Sequence, residues 1–181
     1  MKKFKLTSEF IVDISGVKLF RIKALIEFGN VKAGDLGGYI EKEENLSHMG
    51  NAWVSGNAQV SGNARVFGNA RVFGNAWVSG NARVSGDAQV FGDARVSGDK
   101  DYAYAHGFGS CNRTTTFFRL KDGDVGVRCG CFYGTLAQFR DNVCETHGET
   151  KKAQEYLMLA DLMELRFEED ENEVGNRKYV E

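Results

Sequence analysis

Ala52-Trp-Val-Ser-Gly-Asn57, Ala58-Gln-Val-Ser-Gly-Asn63, Ala64-Arg-Val-Phe-Gly-Asn69: a period of six opens here and runs without a slip to Ala94-Arg-Val-Ser-Gly-Asp99. Alanine stands at 52, 58, 64, 70, 76, 82, 88 and 94, and a valine follows each two residues later. Six residues are too few for any helical repeat. They suit a parallel β-solenoid, in which a short strand contributes one inward aliphatic and a corner contributes one small inward residue. Gly-Asn and Gly-Asp supply the corners, because Gly and Asn tolerate left-handed backbone angles.

The unit Val-Ser-Gly-Asn-Ala-Arg resembles the hexapeptide of left-handed parallel β-helices, with Val at the inward aliphatic position and Ala at the inward small one. That resemblance implies three hexapeptides per triangular coil, hence residues 18 apart stacked about 4.8 Å above one another and roughly 2.7 coils from the eight repeats. The outward side chains then sort into ladders. Trp53, Arg71 and Gln89 share one face, Gln59, Trp77 and Arg95 a second, and Arg65 and Arg83 the third. Arg over Trp is a cation–π arrangement. Phe73 stacks with Phe91, while Phe67 sits on another face beside Ser85. Outward Trp53, Phe67, Phe73, Trp77 and Phe91 suggest a covered surface. Proteins of this fold are commonly trimers, so the resemblance implies a homotrimer with those residues at its interface.

Composition agrees with a globular chain. Its 181 residues can bury a core without disulfides or metal. The 23 Lys and Arg against 25 Asp and Glu leave a net charge of −2, which disfavours nucleic acid or an acidic membrane as a general partner. The 22 glycines occur with no proline, which excludes collagen-like and Pro-rich classes. Lys5, Ser8, Glu9 and Asp13 interrupt any signal-peptide core, and no apolar run is long enough to span a bilayer, so the expected setting is the cytoplasm. In that reducing setting Cys111, Cys129, Cys131 and Cys144 read as thiols or metal ligands.

A short solenoid leaves two open ends that need covering. The pattern predicts an N-terminal β cap over 1–38, the β-helix over 39–100, an α+β module over 101–168 and a charged tail over 169–181. Residues 9–26 alternate about Ser15-Gly16 as a hairpin, and Tyr39-Ile40 with Leu46 begins the solenoid imperfectly. Thr114–Leu120 and Val125–Cys131 read as strands joined by Lys-Asp-Gly-Asp. Thr135 caps a helix from Leu136 to about Glu145, and Thr150 caps one from Lys151 to about Glu168. In the second helix Tyr156, Ala160, Met163 and Phe167 form the core stripe, widened by Leu159 and Leu162. The fold class is therefore mainly β.

Beyond the repeats, the blocks Leu19–Leu25, Gly34–Glu41, Glu44–His48, Asn112–Phe118, Cys129–Thr135 and Glu145–Gly148 resemble a group of hexapeptide-repeat proteins of phages, prophages and bacteria. That resemblance implies a bacterial or phage protein acting in the bacterial host cell and carries no established activity.

Three constellations can carry chemistry. An acyltransferase of this fold would use a histidine with acetyl-coenzyme A. No His lies inside Ala52–Asp99, and His48 and His106 only flank it. Cys129-Gly-Cys131 followed by Cys144-Glu-Thr-His147 can present three thiolates and an imidazole to zinc if one strand and one helix carry them. Core packing is the alternative for these cysteines. The Gly-rich turn from Gly107 into Thr116 offers backbone N–H groups, Asn112, Arg113, Thr114 and Thr115 to an anion, with Tyr104 and His106 beside them. A turn entering a Thr-rich strand is the plainer account of that segment. The aromatic neighbours favour a nucleotide-like ligand. These features predict a non-enzymatic homo-oligomer that sequesters a small anionic or nucleotide-like host defence signal, or blocks a host defence protein. An acyltransferase and a structural assembly element are the alternatives, and no cofactor other than zinc is expected.

Overall fold

The computed structural model describes residues 1–168, so the charged tail expected over 169–181 lies outside the described residues. The eight repeats form eight two-residue strands: β4 Trp53–Val54, β5 Gln59–Val60, β6 Arg65–Val66, β7 Arg71–Val72, β8 Trp77–Val78, β9 Arg83–Val84, β10 Gln89–Val90 and β11 Arg95–Val96. They pair in parallel with partners 18 residues away: Trp53 with Arg71, Gln59 with Trp77, Arg65 with Arg83. Three strands therefore make one coil of a parallel β-solenoid of about three turns. Every Ala and Val of the repeat is buried, 1% exposed or less, which is the core the six-residue period predicts. The outward ladders are those the period implies.

The coils also define a direction. In each of the first five repeats three backbone N–H groups donate to carbonyls of the following coil, as Trp53 to Ala70 at 3.0 Å, Ser55 to Val72 at 2.9 Å and Asn57 to Gly74 at 3.0 Å. The first coil is thus left mainly with carbonyls and the last mainly with N–H groups, and buried groups of either kind need partners. The N-terminal cap supplies donors. Strands β1 (Phe4–Val12) and β2 (Lys18–Ala24) form a hairpin that joins β3 (Leu36–Ile40), whose Tyr39-Ile40 pairs in parallel with Gln59-Val60. From it Lys3 Nζ donates to the carbonyls of Gly50 and Ala52 at 3.3 and 2.8 Å. The buried Asn45 amide likewise donates to Gly62 and Ala64 at 3.2 and 2.8 Å. The opening coil is stretched by two residues, since Leu46 bridges Val66 whereas Val54 pairs with Val72.

The far end receives acceptors. Asp99 Oδ1 accepts from Arg83 N at 2.9 Å, and Asp101 Oδ2 accepts from the amides of Ser97 and Gly98 at 2.7 and 3.1 Å. Thr116 Oγ1 accepts from Gln89 N at 2.9 Å. Thr116 belongs to a four-stranded antiparallel sheet of β12 (Tyr102–Phe108), β13 (Arg113–Arg119), β14 (Val125–Cys129) and β15 (Phe132–Thr135). The sheet closes the solenoid with one face and packs two helices on the other, α1 (Leu136–His147) and α2 (Lys151–Phe167). Strand alternation divides the labour. Phe118 enters the solenoid core, while its neighbour Phe117 joins Val127, Phe139 and Tyr156 under the helices.

Thr135 and Thr150 cap the helices as expected, accepting from Gln138 N and Ala153 N. The stripe of α2 is buried at Tyr156, Ala160, Met163 and Phe167. Leu162 does not widen it but points outward at 54% exposure, because helix geometry puts it on the opposite side from the stripe, with the exposed Met158 and Leu165. The strand expected through Cys131 ends at Cys129, and Gly130-Cys131 turn the chain into β15. Among the described residues no helix is long and apolar enough to cross a membrane.

Candidate functional site

The six residues expected to gather around an anion are divided by the same alternation. Tyr104, His106 and Thr114 lie on the face toward the solenoid, paired across β12 and β13 as Tyr104 with Thr116 and His106 with Thr114. The Tyr104 ring covers the corner at Gly86, where an added Cβ would fall 2.3 Å from its hydroxyl. His106 Nδ1 lies 2.9 Å from Thr114 Oγ1. Thr115 faces the helices, buried, with its hydroxyl 3.2 Å from Cys129 Sγ. Asn112 is exposed in the turn at φ 46°. Sequence-adjacent threonines on a strand cannot share one ligand, so the expected set does not form a single site.

One of the six, Arg113, does border a cleft. About 310 Å³ of space opens between the turn at Gly109–Asn112, the β14–β15 hairpin and the two helices, lined among others by Ser110, Arg113, Cys129, Phe132, His147 and Tyr156. The turn is held down on α2. Gly109 N donates to Glu155 Oε2 at 2.8 Å and Ser110 N to Tyr156 Oη at 3.1 Å. Gly109 has φ +69°, and a Cβ there would meet the Tyr156 ring at 2.0 Å, so glycine is required twice over. Arg113 reaches across Gly130 to the mouth of the cleft. Its guanidinium makes no hydrogen bond or ion pair with another described residue.

Aromatic rings build the walls. Tyr156 stands edge-on to Phe139 at 5.6 Å and is stacked with His147 at 5.8 Å, while Phe132 lies 5.5 Å from Phe139. Burial pushes the Tyr156 phenol above its ordinary range, so it stays a neutral donor near pH 7. The Cys129 thiol lies 3.8 Å from that hydroxyl. Cys131 also lines the cleft, whereas Cys144 is exposed on α1. The zinc set of Cys129, Cys131, Cys144 and His147 is therefore not assembled. Cys131 sits in a two-residue turn and does not share a strand face with Cys129. Among the described residues no three His, Cys, Asp or Glu side chains are placed to hold a metal ion.

The residues expected at an interface have partners inside the chain. Trp53 is a correction, because it is 3% exposed and covered by Phe4 and Phe28 of the N-terminal cap at 6.5 and 5.4 Å. Arg95 lies over Trp77 at 4.2 Å and Arg83 over Phe67 at 5.7 Å. Phe91 contacts Phe73 at 4.6 Å and Tyr133 at 4.7 Å, with Arg128 at 5.4 Å. Of the two histidines weighed for acyl transfer, His48 is stacked on Phe4 at 4.4 Å and accepts from Lys3 N, which makes it part of the cap, and His106 is bonded to Thr114. Among the aromatic walls of the cleft, sequence reading did not single out Phe132 or Phe139, while Ser110 fell within the Gly-rich turn and Tyr156 was read as core alone. Its signal was a hydroxyl-bearing ring in an apolar stripe of α2, able to hold a glycine turn from below.

Fold and site together define a β-solenoid repeat protein closed at both ends, with a small cleft in its C-terminal module. Its repeats are similar to the YdcK beta solenoid repeat, whose model matches at 58–72, 64–80, 76–90 and 88–99. No curated protein matches the chain.

Proposed function

We propose that the chain is a binding protein whose C-terminal module holds a small anionic molecule bearing a flat ring, with the solenoid as its rigid and oligomeric mount. One observation carries this reading: the Arg113 guanidinium, without an acidic partner among the described residues, stands at the mouth of a cleft walled by Phe132, Phe139, His147 and Tyr156. A guanidinium grips a phosphate or carboxylate through paired hydrogen bonds, and aromatic walls take the ring. Ser110 and Tyr156 add hydroxyls. For a protein of phage type, such a molecule is a nucleotide-like defence signal of the host, and the function is its sequestration.

Native mass spectrometry of protein purified gently from bacterial cells tests this and reads the subunit number at once. The expected result is an adduct of a few hundred daltons on the oligomer, lowered roughly tenfold or more in occupancy by Arg113→Gln, the loss of one charged hydrogen-bond pair. An adduct that survives Arg113→Gln unchanged, or a chain that never carries one in cells expressing the signal, overturns the reading.

A further inference from the structure

A second groove lies where the Arg65–Arg83 face of the solenoid meets the C-terminal module. Its volume of about 450 Å³ is within the ~300–1,000 Å³ usual for small-molecule sites. Phe67, Arg83, Ser85, Asp99, Tyr104 and Arg166 line it. Its two arginines come from unrelated elements, β9 and the last turn of α2, and both are exposed. Arg166 Nη2 donates to the backbone carbonyl of Asp99 at 3.1 Å, and the Arg83 guanidinium rests 5.7 Å from the centre of the Phe67 ring. Neither is ion-paired to a described carboxylate. Arg65 stands directly opposite Arg83 on the neighbouring rung, and like charges so placed repel. An anion would relieve that repulsion.

The remaining groups narrow the anion. Two guanidiniums lining one groove match two phosphoryl groups better than one carboxylate. Phe67 and Tyr104 offer apolar ring surface beside them. Asp99 accepts the Arg83 N–H through Oδ1, which leaves its second oxygen to accept from a hydroxyl. A bare polyphosphate would leave that carboxylate facing an anion and the rings uncovered. We propose that this groove binds a nucleoside diphosphate, with Arg83 and Arg166 on the phosphates, Phe67 under the base and Asp99 on a sugar hydroxyl. The assignment uses none of the residues of the Arg113 cleft and stands apart from the function proposed for it.

Titration calorimetry of the full chain with ADP, and separately with inorganic pyrophosphate, tests it. ADP is expected to saturate one site per chain. Arg83→Gln and Arg166→Gln should each weaken it about tenfold or more, with the folded state retained by circular dichroism. Phe67→Leu keeps an apolar filler without a flat face, so it should weaken ADP several-fold while leaving pyrophosphate within about twofold. Arg113→Gln should leave both titrations as they were. Absence of saturable ADP binding overturns the assignment. So does ADP binding indifferent to Arg83→Gln and Arg166→Gln, or pyrophosphate binding as tightly as ADP.

Discussion

Lys3 shows how much one side chain can hold. It is 1% exposed, its ammonium donates to two carbonyls of the first coil, and it lies 4.6 Å from the centre of the Phe28 ring. Burial brings its pKa down from 10.5 to about 8. The neutral amine still carries two N–H groups, enough for both carbonyls, so the cap tolerates deprotonation. Between pH 8 and 10.5 the unfolded chain holds a proton that the folded one has released, so stability from this group rises with pH across that window and is flat below it. The difference in unfolding free energy between wild type and Lys3→Met should therefore climb above pH 8, by at most about 1.4 kcal/mol per pH unit. Urea unfolding at a series of pH values reads it, and a pH-independent difference would show that Lys3 is not desolvated.

At the scale of the element, the solenoid is a polar stack, and its side chains follow the same direction as its backbone. Asn51 donates to Asn69 at 3.2 Å, and Asn69 donates to Asp87 at 2.9 Å. Asn57, Asn75 and Asp93 repeat the pattern at 3.3 and 3.4 Å. Each amide donates to the next coil, and the last member only has to accept, which accounts for the change from Asn to Asp at 87 and 93. Asp93 then pairs with Lys121 of the β13–β14 turn at 2.8 Å, tying the end of one ladder to the C-terminal module. The same logic makes Thr116 a joint between elements. Thr116→Val keeps the shape and removes the acceptor for Gln89 N, at an expected cost of about 1–3 kcal/mol for the amide left unpaired. Hydrogen exchange should find the Gln89 amide less protected in the variant while the mid-solenoid Arg71 amide is unchanged. Equal protection of Gln89 would mean that the sheet does not close the solenoid there.

For the whole molecule, β13 is the strand through which two cores communicate. Phe118 is fully buried in the solenoid core and Phe117 in the helical core, and Gly126 opposite Phe118 leaves room for its ring, since a Cβ there would fall 2.5 Å away. Wild type is expected to unfold in one calorimetric transition. Phe118→Ala removes the side chain that plugs the last coil, at about 3–5 kcal/mol, and should split that transition in two as the solenoid and the helical layer lose their common strand. A single transition at lower temperature would mean that the two cores are coupled elsewhere.

The solenoid, its ladders, both helix caps and the hairpins were legible in the sequence because each depends on contacts at a fixed spacing: six residues for the corners, 18 for the stacked rungs, three for a cap. The Arg95–Trp77 and Phe73–Phe91 contacts followed from that arithmetic. Long-range assembly decided the rest. Thr114 and Thr115 are neighbours in the chain, yet pleating sends them to opposite faces of the sheet. Trp53 repeats Trp77 in every local respect, but only Trp53 lies under the N-terminal cap. Arg113 and Tyr156 meet at one cleft, and Arg83 and Arg166 at another, because the sheet lays its helices across the end of the solenoid. Period and propensity act between near neighbours and can be read along the chain. A cleft is a meeting of distant segments, and which ones meet is settled only when the ends of the solenoid are closed.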